Sequence, residues 1–305
     1  MSEPTAARAR EGQTFGGSSR FVRYANFVKL PHTLFALPFA LVGVTIASYV
    51  KEVRPLDIVW VTIAFTAARF AAMGFNRIAD RDIDALNPRT AARELPSGAM
   101  SVREASLAVI SACAIFVGAA WMLNPLCFAL SPIALVWVLF YSYTKRFTRF
   151  AHLALGVGMS IAPVGGYLAV TGAWSKPWWV LVALAAAVMS WGGGFDIFYA
   201  LQDIEFDRAQ GLHSLPARHG TAPAIAIARV LHAGTVAMLA LAGVGIGAGA
   251  FYWAGVCVVA LLLIYEHSLV RPADLSRLDA AFFMMNGVLS VTFFAFVLAG
   301  RVFTR

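Results

Sequence analysis

Residues 56–84 read LDIVWVTIAFTAARFAAMGFNRIADRDID, a mostly apolar run of twenty residues that passes directly into Asn76, Asp80, Asp82 and Asp84. About 20 apolar residues are needed to cross the hydrocarbon core of a bilayer. If the helix continues beyond the apolar run, Asn76, Asp80 and Asp84 stand at i, i+4 and i+8 and share one face, while Asp82 points away from it. Three oxygen-bearing side chains on one helical face make a site for a hard cation at the membrane boundary.

The rest of the chain fits this reading. It has 305 residues, of which 60% are hydrophobic and only 13% charged, with a mean hydropathy of +0.72. That composition is too apolar for a soluble domain and too poor in charge for a disordered one. Apolar runs recur at about 30–50, 56–75, 103–123, 126–143, 151–171, 177–200, 222–248, 250–268 and 280–300. The expected fold is therefore all-α: a polytopic membrane protein with nine transmembrane helices bundled around a central cavity. Two polar inserts, 76–101 and 201–221, interrupt it, and Pro88, Pro96 and Gly98 mark the first as loop. Residues 1–20 read as a flexible basic tail and 21–305 as one transmembrane domain. Cys113, Cys127 and Cys257 lie in apolar runs without metal-ligand spacing and read as packing residues.

The net charge of +8 does not point to nucleic acid, because the basic residues are spread over short loops rather than gathered on one face. Their distribution reports topology instead. With the N-terminus inside, 17 Lys and Arg fall on inside segments and 5 on outside ones, with Arg69 and Arg229 inside spans. The positive-inside rule then places the N-terminus in, the C-terminus out, and both acidic inserts on the cytoplasmic face; the expected location is an inner membrane of bacterial type.

A second acidic cluster, Asp196, Asp203, Glu205 and Asp207, ends the sixth apolar run four spans after the first, a faint internal repeat. Seven of the sixteen acidic residues lie in these two clusters. Massing carboxylates beside a span is costly unless a cation binds there. Magnesium fits, because it takes oxygen ligands and is held by one or two carboxylates while a substrate diphosphate completes its shell. One ion per cluster would clamp a diphosphate from both sides, with Arg93 and Lys145 on its oxygens.

These segments resemble the two aspartate-rich motifs of the UbiA superfamily of intramembrane prenyltransferases. The resemblance is carried by Asn76-x-x-x-Asp80-x-x-x-Asp84 and by Asp196 through Asp203 to Asp207. Tyr141-x-x-x-Lys145-Arg146 is similar to that family's Tyr-x-x-x-Lys segment. Arg93-Glu94-Leu95-Pro96-Ser97-Gly98 is similar to its Arg-Pro-Leu-Pro-Ser-Gly, with Glu94 as a departure. The wording around His32–Ala40 and Gly211–Pro216 looks most like the 4-hydroxybenzoate polyprenyltransferase type.

The resemblance implies a magnesium-dependent enzyme that joins a polyprenyl diphosphate to an aromatic acid in respiratory quinone biosynthesis. It implies that Asn76, Asp80 and Asp84 hold one magnesium ion and Asp203 with Asp207 a second. Arg93, Lys145 and Arg146 are then the diphosphate contacts. Tyr141 and Asp196, with Lys145, are the catalytic candidates beside the reacting carbon, and membrane lipid surrounds an opening for the isoprenoid tail.

Two alternatives stand beside this reading. Similar sequences serve the naphthoate step of menaquinone synthesis by the futalosine route, and a cation-coupled transporter also uses acids in spans. The transporter predicts acids near mid-span, whereas these lie at helix ends. His32, His213 and His219 read as interfacial or loop histidines, Asn286 as an interhelical hydrogen-bond partner, and Trp178 and Trp179 as interface anchors.

Overall fold

The computed structural model describes residue 15 and residues 19–272, 274–275, 277–278 and 285–303, with the side chains of residues 30–35 left out of the description. The expected tail therefore lies almost wholly outside the described residues, as does the side chain of His32. The first helix, α1 (Arg20–Phe27), was not foreseen. Ser19 caps it by accepting the Val22 N–H, and it buries Phe27 against Phe70.

The nine apolar runs map onto α2 (Leu30–Ala47), α3 (Pro55–Leu86), α4 (Val102–Leu123), α5 (Pro125–Thr144), α6 (Ala151–Thr171), α7 (Trp179–Ala200), α10 (Thr221–Gly245), α11 (Ala250–Leu269) and α12 (Asn286–Phe303). Two short helices, α8 (Ile204–Ala209) and α9 (Leu215–His219), lie in the second insert. Eight of the long helices are long and apolar enough to cross a membrane, and the described part of α2 adds a shorter apolar run, Ala36–Ala47. The protein is an integral membrane protein built almost entirely of helices.

Local chemistry sets the helix ends. Asn124 closes α4 and opens α5: its side chain accepts the Cys127 N–H, and Pro125 takes the first helical position, where no donor is needed. The same amide donates to the Leu168 and Ala169 carbonyls of α6, fixing the hairpin against a third helix. Helix α3 runs 32 residues, about 48 Å at 1.5 Å per residue, and so outruns the roughly 30 Å hydrocarbon core. Its apolar segment, Pro55–Ala79, includes Asn76 and ends just before Asp80 and Asp84. At the matching end of α7 the chain tightens into a 3-10 turn, Leu201–Asp203, before α8.

The core centres on α7, where Trp191 is fully buried against Phe39 of α2. The Trp191 Nε1–H donates to Asn286 Oδ1 of α12 at 2.8 Å, so the polar residue in the last span is an interhelical partner, as its sequence setting suggests.

Glycines let α6 approach its neighbours closely. A Cβ on Gly156 would lie 2.2 Å from the Met189 carbonyl of α7, and one on Gly166 would lie 2.0 Å from the Ala40 carbonyl of α2. Both obstacles are backbone, which cannot move aside as a side chain can. Gly156→Val is therefore expected to separate α6 from α7 and cost at least about 1–3 kcal/mol, read as a lowered Tm in detergent. An unchanged Tm would show that this crossing has room for a side chain.

Candidate active site

Both polar inserts meet at one end of the bundle. Asn87 Nδ2 donates to Asp203 Oδ1 at 3.1 Å, and the His213 N–H donates to the Lys145 carbonyl at 2.9 Å. Between them lies a polar chamber of about 260 Å³, whose walls include Asn76, Asp80, Asp84, Arg93, Tyr141, Lys145, Asp196, Asp203 and Asp207. Two acidic clusters more than a hundred residues apart in sequence thus face each other across one space.

Asp80, Asp84 and Asp203 of this chamber are held by cations. Asp80 Oδ2 lies 2.7 Å from Lys145 Nζ and accepts from Asn76 Nδ2 at 3.1 Å. Asp84 takes Arg93 Nη1 on both oxygens at 2.8 Å. Asp203 is gripped by Arg89 through Nε at 3.0 Å and through Nη2. The Tyr199 hydroxyl accepts from Arg89 Nη1 at 2.7 Å and from Arg93 Nη2 at 3.4 Å, bridging the two arginines. Asp80 and Asp84 are buried, and removing either partner of so buried a pair would strand a charge.

Arg146 departs from its expected place. It does not line the chamber; its guanidinium reaches the Ala79 carbonyl and lies 3.6 Å from Asp80 Oδ1, with 39% of its side chain exposed. Its position one residue beyond Lys145 turns it to the outer side of α3. Glu205 and Asp82 also face outward, and Asp82 pairs with Arg81 at 3.3 Å at the surface. His213 and His219 are exposed.

Four wall residues carried no assignment from sequence. Arg89 and Tyr199 complete the second arm. His152 Nδ1 stands 2.6 Å from Asp196 Oδ2. Arg69 lies where the polar chamber meets a larger apolar one of about 480 Å³; Arg69, Met73, Tyr141, Leu155 and Met159 line both. The Arg69 Nε is buried with no hydrogen-bond partner, and no carboxylate among the described residues lies within ion-pair distance of it. Its signal was present in the sequence: it precedes Asn76 by seven residues on the same helical face and is a charge at membrane depth.

The donor set suits a hard cation. Asp80 Oδ1 is buried without a hydrogen-bond partner, an oxygen with a lone pair to give. Among the described residues no three carboxylates or imidazoles converge into a metal site of their own. Magnesium takes one or two carboxylates and completes its shell with water and substrate phosphate, and a carboxylate oxygen such as Asp80 Oδ1 is the kind of ligand it needs.

Comparison with known proteins agrees with this architecture. The UbiA prenyltransferase family model matches residues 36–288. The 4-hydroxybenzoate octaprenyltransferase of Alkalilimnicola ehrlichii is 32% identical over 230 residues, 75% of this chain and 77% of that protein. That of Xanthomonas campestris is 33% identical over 75% of this chain and 76% of its own length. The apo structure of a UbiA homologue from Aeropyrum pernix superposes with a TM-score of 0.80 at 34% identity, covering 88% of this chain and 97% of that one. A homologue from Archaeoglobus fulgidus solved with GPP and Mg2+ shares the fold, with a TM-score of 0.72 at 23% identity over 91% and 99% of the two chains. The shared helical fold and the family match over most of the chain assign this protein to the UbiA prenyltransferase family.

Proposed function

We propose that the protein transfers a polyprenyl group from its diphosphate to the ring of a 4-hydroxybenzoate-type aromatic acid, in respiratory quinone biosynthesis. The observation that carries this reading is a pair of adjoining chambers that share wall residues: one is lined by acids and cations suited to a diphosphate and metal, and the other, larger one is lined mostly by apolar side chains suited to an isoprenoid. A protein of the same fold binds GPP and Mg2+, and the relatives of about one-third identity named above are octaprenyltransferases acting on 4-hydroxybenzoate.

In this reading Asn76, Asp80 and Asp84 hold one magnesium ion, and Asp203 with Asp207 a second. Bound magnesium neutralises the diphosphate and makes it a better leaving group. The chain's own residues do the rest. Lys145, Arg93 and Arg89 exchange their carboxylate partners for diphosphate oxygens, so charge lost on one side of each ion pair is replaced on the other. The freed carboxylates are the ones that meet the metal.

As the allylic carbon–oxygen bond breaks, positive charge develops on the carbon next to Tyr141 and Asp196, whose oxygens stabilise it. The apolar wall excludes water that would otherwise capture the cation. The ring carbon ortho to the acceptor hydroxyl forms the new carbon–carbon bond and then loses its proton. Asp196, held by the neutral donor His152 rather than by Lys or Arg, is the base placed to take it. Arg69 receives the carboxylate of the acceptor, which gives that buried guanidinium its anion and aims the ring along the shared wall. The active site faces the cytoplasm, following the charge asymmetry of the loops.

The test pairs acceptors in one assay. Purified protein with geranyl diphosphate and Mg2+ is expected to prenylate 4-hydroxybenzoate, to stop when EDTA is added, and to turn over a dihydroxynaphthoate more slowly. A reversed acceptor preference would move the protein to the naphthoate step of menaquinone synthesis.

A further inference from the structure

His152 is the first buried polar residue of α6, 3% exposed, and its two ring nitrogens face different elements. Nδ1 lies 2.6 Å from Asp196 Oδ2 of α7. Nε2 lies 3.3 Å from the backbone nitrogen of Leu215, the first residue of α9. A backbone N–H can only donate, so Nε2 accepts and the ring proton sits on Nδ1, where it is donated to the carboxylate. The geometry therefore fixes one tautomer and one direction for each bond.

The sequence explains why the ring arrives there. Gly156 is one turn after His152 on α6, and Gly192 is one turn before Asp196 on α7. A Cβ on Gly192 would meet the Gly156 Cα at 3.1 Å, so the two backbones nearly touch at this crossing. Close approach one turn away brings imidazole and carboxylate into contact across the helix pair. The bond on the other side of the ring reaches the second insert, where Ser214 caps α9 and lines the polar chamber. One side chain thus joins the base at the reacting carbon to the loop that follows the second acidic arm.

We infer that His152 is a positioning residue: it holds the Asp196 carboxylate in one orientation with its second oxygen toward the chamber, and it ties that orientation to the docked α9 loop. Asp196 keeps 25% of its side-chain surface open, so the unbound oxygen has access to the space where the ring is prenylated. Without His152 the carboxylate would be free to rotate, and proton removal would slow while diphosphate binding through Asp80, Asp84 and Asp203 stayed intact. This inference rests on the reading of Asp196 as the group beside the reacting carbon.

The test uses the full chain in detergent, with geranyl diphosphate, 4-hydroxybenzoate and Mg2+. Glutamine can reproduce both bonds, its amide N–H to Asp196 and its amide oxygen to the Leu215 N–H; phenylalanine can make neither at similar volume. His152→Phe is expected to lower kcat about 10- to 100-fold with the KM for geranyl diphosphate unchanged, and His152→Gln to restore most of the loss. Histidine 15N spectra supply a readout that does not depend on turnover. They should show a buried Nδ1-protonated imidazole signal that is lost in His152→Gln and shifts in Asp196→Asn, while the signals of the buried His232–His267 pair stay unchanged.

A wild-type kcat in His152→Phe, a glutamine variant as impaired as the phenylalanine one, or an Nε2-protonated ring would each overturn the inference. Asp196→Asn separates it from the reading beneath it. If that variant is inactive while His152→Phe is not, only the positioning role falls; if it is fully active, the assignment of Asp196 falls.

Discussion

Asp80→Asn and Asp203→Asn are each expected to reduce Mg2+-dependent prenyl transfer by on the order of 10³-fold in kcat/KM, because each removes a metal-binding charge while keeping the side chain's size. The geometry makes the effect specific. Asp80 is buried, carries Lys145 at 2.7 Å on one oxygen, and leaves the other without a hydrogen-bond partner. An asparagine at this position still accepts from Lys145 through its carbonyl but offers no charge to magnesium. Asp203, held by Arg89 and Asn87, stands on the opposite wall, so its loss should act through the same ion-and-diphosphate assembly.

Stability measurements distinguish this from damage to the fold. Geranyl diphosphate with Mg2+ should raise the Tm of the wild-type protein by binding the folded state, and that rise should vanish in both variants. Retention of the Mg2+-dependent rate in both would remove these carboxylates from metal binding. The double variant should be little worse than either single one if both serve one diphosphate, since groups that act as a unit are not additive.

The parts of the site that could be read from sequence are those whose geometry is set within one helix. Asn76, Asp80 and Asp84 repeat every four residues on α3, and helical periodicity alone aims them; Asp203 and Asp207 are also four apart, but Asp203 ends a 3-10 turn and Asp207 lies in α8, so the break after α7 helps to aim the second set. That the two sets face one chamber followed from their equivalent positions after apolar runs. Arg89 and His152 were not legible in this way. Their partners, Asp203 and Asp196, lie 114 and 44 residues away, and only the packing of the second insert and the glycine crossing of α6 and α7 brings them together. Arg146 shows the converse: the motif made it a diphosphate contact beside Lys145, but although it comes within 3.6 Å of Asp80 its side chain is 39% exposed and lies outside the chamber wall.

Arg69→Met is expected to raise the KM for 4-hydroxybenzoate about 10- to 100-fold while leaving the KM for geranyl diphosphate unchanged, matching the loss of a charged hydrogen-bonded pair worth about 1.5–3 kcal/mol. A cation in a span costs free energy unless an anion or carbonyl receives it. Arg69 has an unpartnered buried Nε and sits where the polar and apolar chambers join, beside Tyr141. A diphosphate would be held among Lys145, Arg93 and Arg89, deeper in the polar chamber. The smaller carboxylate of the aromatic acid is the anion left for Arg69, and its ring would then lie along the shared wall toward Asp196.

A pair of acceptors isolates that contact. The wild-type protein should prefer 4-hydroxybenzoate over phenol, which lacks the carboxylate, whereas Arg69→Met should treat the two nearly alike. Because the substitution removes an unpaired buried charge and keeps an extended apolar side chain, the Tm should hold or rise as the acceptor preference collapses. If the KM for geranyl diphosphate rises and the preference between acceptors survives, Arg69 belongs to the diphosphate, and the acceptor carboxylate must be held elsewhere on the wall. The opposing directions of stability and specificity make this a test of binding rather than of folding.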